Sequence, residues 1–154
     1  MRRIIVSLSV LAALGVFAGC GDDEVPPLTA DEFASQANAI CKDHAAQVAE
    51  KRKGILPITS ADQSAEFTRD VAVPSVRDSF DDIEKLREPE KDKEKIAKML
   101  EAGNKALDIA EEELKDKERA AVFLNTSTEE YKELRKQFNE AARELKLNDC
   151  ADPE

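Results

Sequence analysis

The side chains with the greatest chemical potential in this 154-residue sequence are one histidine and three cysteines. His44 follows Asp43 directly and lies three residues after Cys41, so a helix would place His44 and Cys41 on the same face. A histidine beside a carboxylate could act as a general base or as a metal ligand, which makes His44 and Asp43 the candidate ligand-binding residues. The alternative, which we expect, is a partly buried histidine that flanks a disulfide.

Other patterns of catalysis or metal binding are absent from the sequence. No Gly-x-Ser-x-Gly segment marks a serine nucleophile, and no Asp-x-Asp-x-Asp-Gly segment marks a calcium loop. The acidic runs Asp81-Asp82 and Glu111-Glu112-Glu113 do not form a joint chelate, because consecutive residues on a helix point in different directions. We therefore predict a protein that is not an enzyme and that has no metal site and no cofactor.

Residues 1–19 have the order of a secretory signal peptide. The positive start Met1-Arg2-Arg3 precedes an apolar run from Ile4 to Phe17, and the small residues Ala18-Gly19 follow. The apolar run is shorter than the roughly 20 residues that a membrane-spanning helix needs. The pattern predicts cleavage and an extracytoplasmic mature chain.

The segment Phe17-Ala18-Gly19-Cys20 resembles the lipobox of bacterial lipoproteins, in which an aliphatic residue and two small residues precede a cysteine. The resemblance implies that Cys20 receives a diacylglyceryl group, becomes the new N-terminus and anchors the chain to the cell membrane. Two acyl chains on one residue meet the two-signal requirement for stable anchoring. Residues 20–28, with three consecutive acids and Pro26-Pro27, would then form a tether. The alternative is an ordinary secretory cleavage site with a chance cysteine.

The charge of the chain limits its partners. The formal net charge is −10, and loss of Arg2 and Arg3 with the signal peptide would make it −12. An acidic body repels nucleic acid and anionic lipid headgroups alike. With no Trp, one Tyr and six Phe, the chain is also poorly supplied with platforms for stacking bases or sugars. We predict no nucleic-acid partner and a body held off the membrane surface.

Cys41 and Cys150 remain after Cys20 is assigned to lipidation. Two remaining cysteines in a secreted chain usually form one disulfide, and no Cys-x-x-Cys motif or cluster of histidines points to a metal or redox pair. Closing so long a loop stabilises by about 4 to 5 kcal/mol in the chain-entropy model. We predict a structural disulfide between Cys41 and Cys150.

Apolar residues recur at helical spacing in four segments, each with a start or stop signal. Pro74 lies inside the second segment and predicts that the helix there is kinked or split. Gly103 lies on the apolar seam of the third segment and predicts close backbone approach to a neighbour. Residues 116–126 could either extend the third helix or pack as a loop. The predicted helices are A (about 30–53, with a Thr29-to-Glu32 capping box), B (from a Ser60-to-Gln63 box to Pro89), C (seam Ile96, Leu100, Gly103, Leu107, Ala110, Leu114) and D (from a Ser127-to-Glu130 box to Leu145).

Four amphipathic helices with short connectors predict an all-α domain over residues 29–154, built as an antiparallel four-helix bundle. In this arrangement Cys150 would join the end of helix D to the middle of helix A. The segments DEFASQANAIC, IEKLREP and ELKLNDC are similar to landmarks of small actinobacterial helical lipoproteins. This resemblance supports the helical prediction and the Cys41–Cys150 pairing, and it implies no catalytic or binding residues.

The sequence therefore predicts a membrane-anchored extracytoplasmic lipoprotein that serves as a non-enzymatic envelope interaction or binding module. Its expected contacts are the membrane, through the lipid, and an envelope protein partner. The alternative is a small-ligand or metal-binding protein with a pocket between helices, around His44, Asp43 and the kink at Pro74.

Overall fold

The computed structural model describes residues 26–151, and all regular structure within this range is helical. The all-α prediction is confirmed for these residues. The predicted signal peptide, the lipidation site Cys20 and the first part of the tether lie outside the described residues. The helices are α1 (Ala30–Lys53), α2 (Ala61–Phe67), α3 (Val73–Glu84), α4 (Lys93–Glu113), α5 (Lys117–Thr126) and α6 (Glu129–Glu144), with a π-helical segment (Thr68–Ala72) between α2 and α3.

Helix α1 has the bounds that the sequence predicts. The Thr29 hydroxyl accepts a hydrogen bond from the backbone N–H of Glu32, and the Glu32 carboxylate accepts one from the backbone N–H of Thr29. This reciprocal capping box satisfies two donors that would otherwise have no partner at the helix start. Gly54 ends the helix in a right-handed conformation.

Helices α2 and α3 continue into each other through the π-helical segment, which ends two residues before Pro74. Proline supplies no N–H and crowds the preceding turn, and a wider π turn accommodates both defects. The predicted irregularity at Pro74 is therefore present. One of the two hydrogen bonds of the capping box predicted at the start of α2 is present, since the Ser60 hydroxyl accepts from the backbone N–H of Gln63. The other is not formed as predicted, because the Gln63 side chain accepts from the backbone N–H of Thr59 and not from that of Ser60.

The apolar seam predicted for helix C is buried in α4, together with Met99, Ala102 and Ala106. Residues 116–126 form neither of the two structures predicted for them. Leu114 ends α4, and the Asp116 carboxylate accepts a hydrogen bond from the backbone N–H of Arg119 to start the separate helix α5. Helix α5 packs against α2 and α4 and buries Ala120 and Phe123.

Helix α6 begins one residue later than the predicted box requires. Thr128, and not Ser127, accepts the capping hydrogen bond, from the backbone N–H of Tyr131. The Ser127 hydroxyl instead donates to the backbone carbonyl of Phe123 in the preceding helix. The Ser127-to-Glu130 capping box is therefore wrong, because two adjacent hydroxyl residues compete for the same role.

The tail after α6 is fixed against α1. The predicted disulfide between Cys41 and Cys150 is present. The Asn38 side chain donates to the backbone carbonyl of Lys146 at 2.8 Å and accepts from the backbone N–H of Asp149 at 2.9 Å. Leu147, between these contacts, is fully buried. The bond and the amide contacts together hold the tail on the core.

Lys146, two residues after the end of α6, adopts the left-handed conformation with φ of 62°. The backbone N–H groups of Lys146 and Leu147 donate to the carbonyls of Arg143 and Ala142, which is the Schellman pattern. A non-glycine residue in this conformation carries a cost of about 1 to 2 kcal/mol.

Replacement of Lys146 by glycine is expected to raise the free energy of unfolding by about 1 kcal/mol, because glycine adopts positive φ without steric cost. The lost ion pair between Lys146 and Asp31 is exposed on both sides and contributes little. Urea denaturation measures the effect. Lys146→Ala removes the same ion pair but keeps the strain, so a gain in this control equal to that of Lys146→Gly would contradict the explanation.

Candidate functional site

A cleft of about 650 Å³ lies between the second half of α1, the end of α2, the π-helical segment and the helices α3 to α6. This volume falls within the range of about 300 to 1,000 Å³ that is usual for small-molecule sites. Most of its lining is apolar, and aromatic rings contribute much of it. Prominent lining residues are Phe67, Phe80, Leu107, Phe123, Leu124 and Phe138.

Gly103 forms part of the floor of the cleft. The rings of Phe80 and Phe138 cross over it with their centroids 5.0 Å apart. A Cβ atom at position 103 would lie 2.5 Å from Phe80 Cε2 and 2.9 Å from Phe138 Cδ2, which is closer than carbon atoms approach without displacement. The close contact predicted at Gly103 is present, but the rings of Phe80 and Phe138 make it, and not the backbone of a neighbouring helix.

The only histidine forms the main polar feature of the cleft wall. His44 Nδ1 lies 3.4 Å from Ser75 Oγ, and His44 Nε2 lies 3.2 Å from Asp82 Oδ2. The imidazole is mostly buried, with 17% of the side chain exposed. Helix α1 supplies His44, and α3 supplies both partners at positions two helical turns apart. These contacts hold the ring in one orientation beside the apolar lining.

Ser75, His44 and Asp82 are the residue types of a serine hydrolase triad, but their arrangement differs from one. In the triad the carboxylate contacts Nδ1 and the serine contacts Nε2. Here the serine contacts Nδ1, at a distance beyond the 2.6 to 3.2 Å typical of an activated nucleophile. The arrangement is suited to positioning the imidazole.

The structure separates the two residues that the sequence pairs. Asp43 is exposed and does not line the cleft, because it lies one position along α1 from His44 and points elsewhere. Asp82 takes the place next to the imidazole that the sequence assigns to Asp43. Over residues 26–151, no three or more His, Cys, Asp and Glu side chains come together as a potential metal site.

The pKa of the Asp82 carboxyl lies below its usual range. The main cause is the Lys85 ammonium, whose Nζ donates to Asp82 Oδ1 at 2.7 Å, and the contact with His44 acts in the same direction. A carboxyl whose pKa is depressed in the folded state stabilises the fold above its unfolded pKa. This contribution is lost as the pH falls through the folded pKa, which lies on the acid side of the ordinary aspartate value.

Lys85→Ala is expected to raise the pKa of Asp82, and to raise it more than His44→Gln does, because Lys85 is the stronger cause. Carbon-13 NMR titration of the Asp82 carboxyl measures both changes. Lys115→Ala removes a similar ion pair with Glu112 at another place and should leave Asp82 unchanged. A larger shift from His44→Gln would reverse the assigned order of causes.

Two exposed arginines line the cleft. Arg52 lies in the last turn of α1, and Arg135 lies on α6 with its guanidinium carbon 5.6 Å from the centre of the Tyr131 ring. The Tyr131 ring in turn packs edge-on against Phe123 with centroids 4.8 Å apart. Helix α5 and the start of α6 thus build one aromatic wall that carries a cation at its edge.

Comparison with protein-family models, with curated proteins and with solved structures found no match to this chain. None of the helices described for residues 26–151 has both the length and the apolar character needed to cross a membrane.

Sequence reasoning identified His44 but missed Ser75, Asp82 and the arginines of the rim. Ser75 and Asp82 lie 31 and 38 residues from His44, so no local motif joins them. Their spacing of seven residues placed them on one face of predicted helix B, and this was the only available signal. Nothing in the sequence showed that this face would meet His44.

Proposed function

We propose that the protein is a lipid-anchored, extracytoplasmic and non-enzymatic binding protein, and that its cleft holds a small ligand. The observation that carries the proposal is the cleft itself, which combines an apolar lining with a few fixed polar groups. That combination is the usual character of a small-molecule site. It favours the small-ligand alternative over an interaction with an envelope protein alone.

The lipid anchor rests on the lipobox resemblance at Phe17 to Cys20. The described chain enters the body beside the end of α3, where Leu28 donates to the carbonyl of Arg87 and Arg87 donates to that of Pro26. Cys20 lies six residues before Pro26 and would reach at most about 20 Å from it. The membrane would therefore lie near the end of the body where α1 begins.

The cleft lies toward the opposite end of α1 from the proposed anchor. His44 is 15 residues beyond Thr29, which corresponds to about 22 Å along a helix. A negatively charged body on a short tether also stays off anionic headgroups. We propose that the cleft opens away from the membrane, where it is accessible to molecules of the extracytoplasmic space.

We describe the body as an antiparallel four-helix bundle to which α5 adds a lateral wall. Three contacts support the antiparallel order: Leu28 with Arg87 joins the start of α1 to the end of α3, Arg77 with Asp108 joins α3 to the second half of α4, and Lys95 with Glu144 joins the start of α4 to the end of α6. Lateral closure by α5 turns the space between the helices into a cleft.

Replacement of Cys20 by serine is expected to remove the protein from the membrane fraction. Serine cannot form the thioether to diacylglycerol, so both acyl chains and nearly all membrane affinity would be lost. Metabolic labelling with a fatty acid and fractionation of the producing cells measure the result. Gly21→Ser, one residue beyond the proposed modification, serves as the control and should keep both the label and the membrane location. Labelling that persists in Cys20→Ser would refute the proposed anchor.

Binding in the cleft is tested with the neutral fluorescent probe N-phenyl-1-naphthylamine. The full chain carrying Cys20→Ser, which leaves the body unchanged, should bind the probe and increase its fluorescence. A further Leu124→Asp substitution, in the cleft, should abolish the increase. Val122→Asp on the same helix should not, because Val122 is 62% exposed and lies outside the cleft. Equal binding by all three proteins would refute the site.

The non-enzymatic assignment has its own test. Hydrolysis of a decanoyl ester by this chain, lost in Ser75→Ala, would refute it.

A further inference from the structure

We propose that the ligand of the cleft is an amphiphile with one apolar chain and an anionic head, of the fatty-carboxylate class. This inference rests on the proposed binding function and specifies the chemistry of its ligand. The apolar chain would occupy the aromatic interior, and the head would lie at the rim beside Arg52 and Arg135.

The interior favours an extended apolar group over a polar molecule. Phe80, Phe123 and Phe138 line the cleft and are each at least nine-tenths buried. Two hydroxyls of the wall already have partners, since Ser79 Oγ donates to the carbonyl of Val76 at 2.6 Å and Ser75 contacts His44. An alkyl chain needs no hydrogen-bonding groups and would pack against these three rings.

The rim favours a negative head over a neutral or positive one. The whole chain has more acidic residues (33) than basic ones (23). The cleft lining instead contains two arginines, Arg52 and Arg135, and one acid, Asp149. His44 also lines the cleft. The local balance is therefore the reverse of that of the whole chain. Since most of the protein repels anions, two arginines in the lining of an apolar cleft form a site of charge complementarity.

The opening of the cleft also keeps apolar surface in contact with water. Leu124 and Val76 line it with 37% and 40% of their surface exposed, from α5 and α3 respectively. Covering such side chains with a ligand chain stabilises by roughly 25 cal/mol for each Å² removed from water. A molecule with a chain in the cleft and a head at the rim would satisfy both parts of the site.

Displacement of bound N-phenyl-1-naphthylamine by three ligands of equal chain length tests the head group. Decanoate, decan-1-ol and decylamine are titrated below their aggregation limits against the full chain carrying Cys20→Ser. Decanoate is expected to displace the probe at a concentration about 10-fold lower than the other two. This preference should weaken as the salt concentration rises, because added ions screen an exposed charge pair.

Arg52→Glu is expected to weaken decanoate binding about 10-fold and to change decan-1-ol binding less than twofold. Lys51→Glu is the matched control, because Lys51 is exposed on the same turn of α1 and does not line the cleft. It makes the same change of charge and should leave the preference intact. Arg135→Gln should act in the same direction as Arg52→Glu.

The outcomes separate this inference from the proposed function. Equal displacement by all three ligands, or equal effects of Arg52→Glu and Lys51→Glu, would overturn the anionic head while leaving a small-ligand cleft in place. Stronger displacement by decylamine would overturn it as well. Failure of the unsubstituted cleft to bind the probe would refute the binding function on which the inference depends.

Discussion

Replacing both Cys41 and Cys150 by serine is expected to lower the free energy of unfolding by about 2 to 5 kcal/mol. The disulfide joins residues 109 positions apart, so its loss returns a large loop-closure entropy to the unfolded chain. In the folded state the bond also holds the tail whose Leu147 is fully buried. Small domains have only about 5 to 15 kcal/mol of stability in total, so a loss of this size is a large fraction.

Urea denaturation of the double variant and of the oxidised protein, both with Cys20→Ser, measures this loss. Reducing agent should destabilise the oxidised protein by a similar amount and should have no effect on the double variant, which serves as the control. A loss below about 1 kcal/mol would contradict the assigned role of the bond. Alkylation of both Cys41 and Cys150 under denaturing, non-reducing conditions would contradict its existence.

Gly103→Val is expected to lower the free energy of unfolding by about 1 to 3 kcal/mol, the usual cost of overpacking a well-packed core. The first added carbon would already lie 2.5 Å from Phe80 and 2.9 Å from Phe138. Phe80 and Phe138 are buried and packed on each other, so displacing either ring toward the cleft would break this contact. Helix propensity plays little part, since valine and glycine are both moderate to poor helix formers.

Ala97→Val is the matched control for this substitution, because Ala97 is exposed on the same helix. It should cost less than about 1 kcal/mol, in line with the difference in helix propensity. Combining Gly103→Val with Phe80→Ala should cost less than the sum of the two single losses, because the smaller side chain makes room for the added methyl groups. Additive losses would show that position 103 does not contact Phe80 in the way described.

Much of the helical structure could be predicted from local signals. The Thr29-to-Glu32 box and Gly54 gave the bounds of α1, since caps act through neighbouring backbone groups. The alternation of three and four on α4 gave its buried face, including Gly103. Pro74 gave the position of the irregular turn. In each case the cause lies within a few residues of its effect.

Features that depend on competition between neighbours or on tertiary contacts could not be predicted in the same way. Ser127 and Thr128 are both suitable caps, and the choice depends on the partner that Ser127 finds in α5. Helix α5 itself depends on burial of Phe123 against other helices, which the local pattern at 116–126 does not reveal.

The candidate site shows the same limit more strongly. The sequence predicted that His44 would be partly buried, and the structure confirms this. It paired His44 with its neighbour Asp43, whereas the imidazole lies against Asp82, 38 residues away. Periodicity identifies which face of a helix is buried, but it does not identify the face of another helix that covers it.

The intact mass of the protein, extracted from its native membrane, tests the central claim that a lipid-anchored helical body lies outside the cell. The account predicts a chain that begins at Cys20, carries the added mass of diacylglycerol and contains the Cys41–Cys150 disulfide. An unmodified chain that retains Met1 would contradict it.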